Sequence, residues 1–253
     1  MSRIEIAMEK AAHQKRVSTH PEIEHSETIG MPPASARYGK LSPTNPFLVN
    51  LHDPHSPPAE EYRKLKSVLV QITRAQDVFR NAVLVTSSVP NEGKSLTSLN
   101  LAISLAQELD HTVLLIDADL RKPALHRYFE IEQGVGLSDV LRGEARIEEA
   151  IIPTGIGKLS IMRAGASTDN PAELISSYKM RGLVVELKKR YPDRYLIFDS
   201  SPVLPFAETR SLAHLVDGVL FVVMERLASQ VNEKDAIDSQ RVSPLGASLQ
   251  CRH

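Results

Sequence analysis

The 253-residue sequence holds one cysteine, Cys251, no tryptophan, and only 5% aromatic residues. A single cysteine excludes an internal disulfide framework and a cysteine-based zinc cluster, which suits a reducing compartment. The nine histidines show no metal-type spacing with cysteine or carboxylates. An excess of one charge is missing too. Thirty basic residues against 31 acidic ones leave a formal net charge of -1, so nothing pulls the whole chain toward nucleic acid or an acidic membrane. No apolar run reaches the length of a transmembrane helix, and the N-terminus has no signal-peptide core. Any membrane association would then come through a partner. What is present, 42% hydrophobic and 24% charged residues, fits a soluble globular protein with one α/β domain plus extensions.

The most informative run is Val83-Leu-Val-Thr-Ser-Ser-Val-Pro-Asn-Glu-Gly-Lys-Ser95. An apolar strand enters a short turn that ends in Gly93-Lys94-Ser95, and a helix-like stretch follows at once. This is the layout of a phosphate-binding loop, with backbone N–H groups of the turn and of the helix start facing an anion. Residues Asn91, Glu92, Gly93, Lys94, Ser95 and Leu96 are the candidate cradle. Lys94 can reach the β- and γ-phosphates of a nucleotide, and the Ser95 hydroxyl can ligate Mg²⁺. The pattern usually has a glycine where Ser88 stands, so Pro90 and Asn91 must shape the turn.

Two further apolar runs end in aspartate. Val113-Leu-Leu-Ile-Asp-Ala-Asp-Leu-Arg121 delivers Asp117 and Asp119, and Tyr195-Leu-Ile-Phe-Asp-Ser-Ser-Pro202 delivers Asp199. Buried parallel strands look like this when they bring a carboxylate to their C-terminal edge, where ligands of open α/β sheets bind. Lys94, Asp117, Asp119 and Asp199 are therefore expected to converge on one Mg-nucleotide from three strands. Asp117 and Asp119, two apart on an extended segment, point the same way. The competing reading of each aspartate is a helix cap or turn starter.

Along the chain, residues 1–56 read as a flexible Pro-rich extension, with a short helix possible over Ser2–Lys15. Eight of the 16 prolines precede residue 59. Residues 57–229 read as the nucleotide-binding domain. It opens with a helix carrying Tyr62, Leu65 and Leu69 on one face and Glu60, Arg63 and Lys66 on the other. Strands are expected at Ala82–Thr86, Thr112–Ile116, Leu159–Arg163, Arg194–Phe198 and Gly218–Val223. Helices are expected at Lys94–Leu109, Leu137–Leu141, Ile147–Ala150, Pro171–Ser176, Tyr178–Arg190 and Ala207–Leu215. Such alternation predicts the P-loop NTPase type of α/β fold, a mostly parallel sheet with helices on both faces. Residues 230–253 read as an atypical tail, helical at most over Gln230–Asp238. It lacks a last apolar strand, as a truncated or frameshifted chain would.

With these motifs in order, the chain resembles the bacterial tyrosine kinases (BY-kinases), most closely the cytoplasmic autokinases of exosortase-linked exopolysaccharide clusters. Pro90 to Ser95 matches the family's Walker A form, and Asp117, Asp119 and Arg121 match its Asp-x-Asp-x-Arg pattern. Asp199 and Pro202 match its Walker B pattern. Gly136-Leu-Ser-Asp139 and Asn170-Pro-Ala-Glu-Leu174 also look like family segments. The resemblance implies ATP and Mg²⁺ as cofactors, with the metal on Ser95, Asp119 and Asp199. Asp117, Lys94 and Arg121 would be the catalytic residues: Asp117 as base or orienting group, Arg121 pairing with phosphate or locking the carboxylates. It further implies protein tyrosine substrates and a homo-oligomer formed through Glu60, Arg63 and Lys66, where the family has arginine at the last position. A membrane-anchored chain-length-type activator would hold the protein at the inner membrane.

Two other readings stand beside this one. A ParA/MinD-like switch ATPase would carry a signature lysine where Val89 stands. A nucleotide-binding but catalytically silent partner is suggested by the tail, because none of the six tyrosines, at 38, 62, 128, 178, 191 and 195, follows Tyr195. Of these, Tyr38 in the Pro-rich segment is the expected accessible acceptor, while Tyr62 and Tyr195 are expected to be buried. A missing last strand would leave the edge near Val219–Val223 open.

Overall fold

The computed structural model describes residues 39–74, 79–224 and 248–251. The expected helices at Ser2–Lys15 and Gln230–Asp238, and Tyr38, lie outside these residues. In chain order the elements are α1 (Val49–His52), α2 (Pro57–Arg74), β1 (Ala82–Ser87), α3 (Lys94–Ala106) and β2 (Thr112–Asp117). Then come α4 (Leu125–Tyr128), α5 (Leu137–Arg142), α6 (Ile147–Ala150), β3 (Ile151–Pro153) and β4 (Leu159–Met162). The last are α7 (Pro171–Ser176), α8 (Tyr178–Arg190), β5 (Arg194–Asp199), α9 (Ala207–Ala213), β6 (Gly218–Met224) and β7 (Ser248–Cys251).

The sheet runs β3-β4-β2-β5-β1-β6-β7. All neighbouring pairs are parallel except β3 with β4. β1 and the inner stretches of β2 and β5 are buried on both faces, which is why their sequences are continuous apolar runs and do not alternate. On one face, α2 and α3 pack through Leu65, Leu69, Leu99, Ile103 and neighbours against Val83, Val113 and Ile197. On the other, α5, α8 and α9 pack through Leu137, Leu183, Leu187 and Leu212 against Leu84, Leu114 and Phe198. Each fully buried leucine of these layers stabilises the fold by roughly 1.5–3 kcal/mol.

Three expectations change. Residues 39–56 are not a free extension but a strap on the domain. Leu48 is fully buried, Leu41 N–H donates to the Thr154 carbonyl (2.8 Å), and Thr44 bonds Glu130 through its backbone N–H and its hydroxyl (2.8 and 2.6 Å). Asn50 donates its backbone N–H to Asn100 Oδ1 (3.2 Å) and its side-chain amide to the Asn100 carbonyl (3.0 Å), so these buried polar groups of the strap are satisfied. The prolines fix its turns without preventing packing. Second, the sheet has a strand beyond β6: Phe221 to Met224 pair in parallel with Ser248 to Cys251. A parallel edge strand is held by its backbone ladder and needs no apolar run, so β7 carries no apolar signal, and it covers the edge expected to be open. Third, β3, three residues long, and the one-turn α4 were too short to show a period.

Candidate nucleotide site

The loop between β1 and α3 is built by backbone conformation and one buried acid. Asn91 (φ 69°) and Gly93 (φ 88°) are both left-handed, which accounts for a glycine and an asparagine in the turn. Gly93 stands at the start of α3, and its carbonyl accepts from Thr97 N–H at 2.8 Å. The first turn of α3 leaves backbone N–H groups without intrahelical acceptors, aimed out of the sheet edge. Glu92, expected among the cradle residues, is fully buried. Its carboxylate accepts from Val89 N–H at 2.9 Å and from Met224 N–H at 3.3 Å. Its side chain therefore staples the loop to the end of β6, and only its backbone faces the cradle. Leu96 packs against the α2–α3 core and likewise offers only backbone. Glu92→Ala leaves two N–H groups unpaired. We expect a loss of about 1–3 kcal/mol in stability, and weaker binding of a fluorescent ATP analogue, read by thermal denaturation and titration.

The expected carboxylates do converge. Asp117 and Asp199 are register partners across β2 and β5, and Val85 of β1 is the partner of Asp199 on the other side. Lys94 Nζ lies 3.2 Å from Asp119 Oδ2 and 3.5 Å from Ser95 Oγ. Asp119 Oδ1 accepts from Ser201 Oγ at 2.7 Å and from Lys122 N–H at 3.0 Å. Asp199 Oδ1 accepts from Ser98 Oγ at 3.3 Å, whereas its Oδ2 is buried without a partner. Asp117 Oδ2 accepts from the N–H groups of Ala124 and Leu125 at 2.9 and 3.0 Å, and its Oδ1 is buried without a partner. Asp117 thus caps α4 with one oxygen, the bland role weighed for it, and keeps the other for the site.

Burial and the neighbouring charge of Asp199 push Asp117 up to about 8. Burial likewise pushes Asp199 up, to about 6, against the pull of Lys94 and the Ser95 and Ser98 hydroxyls. Three buried acids beside one lysine are thus short of positive charge. The orphaned Asp199 Oδ2 is what a Mg²⁺ ion would satisfy, while the free Asp117 oxygen is left for the substrate. Among the described residues no group of three His, Cys, Asp or Glu forms an all-protein metal cage. Mg²⁺ keeps waters and substrate phosphates in its shell and takes one or two carboxylates.

Of the two roles expected for Arg121, pairing with phosphate or locking the carboxylates, the geometry opposes only the second. The Arg121 guanidinium pairs with Glu208 at the start of α9 and lies over the Phe206 ring, 4.7 Å from its centre. Asp117 and Asp119 are already taken by the N–H groups, Ser201 and Lys94, which leaves Arg121 on the rim. Ser98 and Ser201 were missed in the sequence although their spacing was readable. Ser98 is one helical turn after Lys94, and Ser201 is two residues after Asp199. The oligomer triad is also partly spent within the subunit. Arg63 pairs with Glu60 at 2.5 Å, and half-buried Lys66 pairs with Glu108 at 2.5 Å.

A strand, phosphate loop and helix with strand-end aspartates on a mostly parallel sheet define a P-loop NTPase-type domain. No family model matches the chain. The tyrosine-protein kinase YwqD of Bacillus subtilis is 34% identical over 205 residues, 80% of this chain and 84% of that protein. The tyrosine-protein kinase etk of Escherichia coli is 28% identical over 204 residues, but this chain spans only 27% of it. The kinase domain of E. coli ETK shares the fold with a TM-score of 0.74 at 25% identity, covering 81% of either chain. The chimerical protein CapA2B2 does so at 0.73 and 28%, covering 85% of this chain and 94% of that one. A ParA family ATPase from Chlorobium tepidum, 16% identical with a TM-score of 0.54 over 68% of this chain, shares the fold alone. The chain belongs to the bacterial tyrosine kinase family.

Proposed function

We infer that this chain transfers the γ-phosphoryl group of ATP to tyrosine hydroxyls within a system that makes or exports exopolysaccharide. The observation that carries the reading is the meeting of Lys94 with Asp117, Asp119 and Asp199 at the mouth of the phosphate loop, all three acids buried. Phosphoryl transfer asks little covalent chemistry of the protein, so positioning and charge do most of the catalysis. Lys94 and the N–H groups of residues 91–95 receive the phosphates. Ser95, Asp119 and Asp199 are the residues that would hold Mg²⁺, which when bound neutralises charge on the phosphates. Asp117 keeps one oxygen without a partner, the acceptor that a tyrosine hydroxyl proton would need. Arg121, at the rim on Glu208, stands where a phosphate or an incoming tyrosine segment would meet it.

Relatives support the wider setting: ExoP of Rhizobium meliloti is a succinoglycan biosynthesis transport protein. Among the described residues no helix is long and apolar enough to cross a membrane. We assign membrane contact to a separate chain-length-type activator, in keeping with a chimera named for two parts, CapA2B2. A homo-oligomer through α2 would use Glu60 and Arg63, with Lys66 already tied to Glu108. The test is anti-phosphotyrosine detection after incubation with ATP and Mg²⁺ and an added tyrosine-rich peptide, with and without the activator's cytoplasmic tail. Phosphotyrosine is expected. ATP hydrolysis without it would mean a switch ATPase, and nucleotide binding without turnover would mean a silent partner.

A further inference from the structure

The described tyrosines differ sharply in access. Tyr195 is fully buried and hydrogen-bonded to Thr73 at 2.8 Å, and Tyr62 is buried on α2. Tyr128 and Tyr191 pack against the two hydrophobic layers, and the Arg194 guanidinium covers the Tyr191 ring at 3.8 Å. Tyr178 is 82% exposed. Its hydroxyl has no hydrogen-bond partner among the described residues.

Its backbone, by contrast, is fixed. Tyr178 is the first residue of α8, and the Ser177 hydroxyl caps that helix by accepting from Met180 N–H at 3.1 Å. A short turn, closed by Arg194 N–H on the Tyr191 carbonyl, reverses the chain from α8 into β5. The start of α8 therefore lies toward the sheet edge at which β5 ends in Asp199. The helix lies on the sheet face opposite α3, with Met180, Leu183, Val184 and Leu187 turned to the core and Tyr178 turned to solvent. Tyr178 thus stands exposed toward the catalytic edge, on a helix that packs on the sheet face opposite α3.

We propose that Tyr178 is a phosphoacceptor for the active site of a second copy of this chain. The inference rests on the kinase reading above and names an acceptor for it. The Tyr178 phenolic oxygen forms a bond to the γ-phosphorus of ATP bound in the second copy. The bond from that phosphorus to the β,γ-bridging oxygen breaks, ADP leaves with that oxygen, and the phenolic proton passes to the carboxylate base and then to water. The product is favoured locally. A phosphate of charge about -1.5 to -2 would stand at the first turn of a 13-residue helix, flanked in sequence by Lys179 and Arg181.

The experiment mixes wild-type chain with tagged Lys94→Met chain, which serves only as acceptor, in ATP and Mg²⁺ with a tyrosine-rich peptide present. Phosphopeptide mass spectrometry of the tagged chain should find Tyr178 modified. A tagged Lys94→Met, Tyr178→Phe chain should take up at least about fivefold less phosphate, while peptide phosphorylation by a Tyr178→Phe single variant stays at the wild-type level. Peptide phosphorylation with an unmodified Tyr178 on the tagged chain overturns the proposal and leaves the kinase reading standing. Modification of Tyr178 on wild-type chain alone overturns transfer between copies. No phosphotyrosine on peptide or chain overturns both readings.

Discussion

Lys94→Met abolishes nucleotide binding: affinity for a fluorescent ATP analogue falls at least about 100-fold, because charge-assisted contacts to phosphate are worth roughly 1.5–3 kcal/mol each and the point charge is lost with them. The far-ultraviolet circular dichroism spectrum keeps its shape, since Lys94 opens α3 at the loop and is not part of either hydrophobic layer. Thermal stability does change, and in a pH-dependent way. Lys94 is 3.2 Å from Asp119 and is the charge that holds Asp199 down. Without it Asp199 rises further above its unfolded value, so the native state carries more of a penalty once pH exceeds that value. The variant should lose more in melting temperature at pH 8 than at pH 5. Unchanged affinity with a normal spectrum would mean that the loop is not a phosphate site.

The strands were legible in the sequence because burial on both faces writes itself as an apolar run. The register was not legible, yet the pairing of Asp117 with Asp199 across β2 and β5 is what makes the site. Lys94, Ser95 and the three aspartates could be named from spacing alone. Arg121 could not be placed, because its partner Glu208 is distant in sequence and in a loop-to-helix junction with no periodic signal. Glu92 was assigned to the cradle for its position, whereas its side chain turns inward to hold β6, a contact between residues 132 apart. The strap at 39–56 and strand β7 share one cause. β7 is held by its backbone ladder, and the strap by scattered apolar residues such as Leu48 together with polar contacts such as Asn50 on Asn100, so neither shows a strand or helix period.

Asp117→Asn separates stability from catalysis. Asp117 and Asp199 both sit above the unfolded carboxylate value of about 3.9, with folded values of about 8 and about 6. Between the unfolded and folded values the native chain holds protons that the unfolded chain has released. Stability of the nucleotide-free protein therefore falls as pH rises from about 4, and the loss is complete above the folded values. Asparagine removes the Asp117 share of that loss. Its carbonyl oxygen can still accept from Ala124 and Leu125, and its amide becomes a donor on the side of Asp199, whose Oδ2 has no partner. We expect the variant to be more stable than wild type by on the order of 1–3 kcal/mol at pH 8.5, roughly 2–10 °C in melting temperature, with the gain shrinking toward pH 5. ATP affinity should stay within about threefold, since Lys94 and the loop are intact, while transfer to a tyrosine peptide falls by about 10²–10⁴. Calorimetry at the two pH values and a peptide kinase assay read both effects. A variant that is stabilised but transfers phosphate within a few-fold of wild type would show that Asp117 only caps α4. The role of base would then pass to Asp119 or to the substrate phosphate itself.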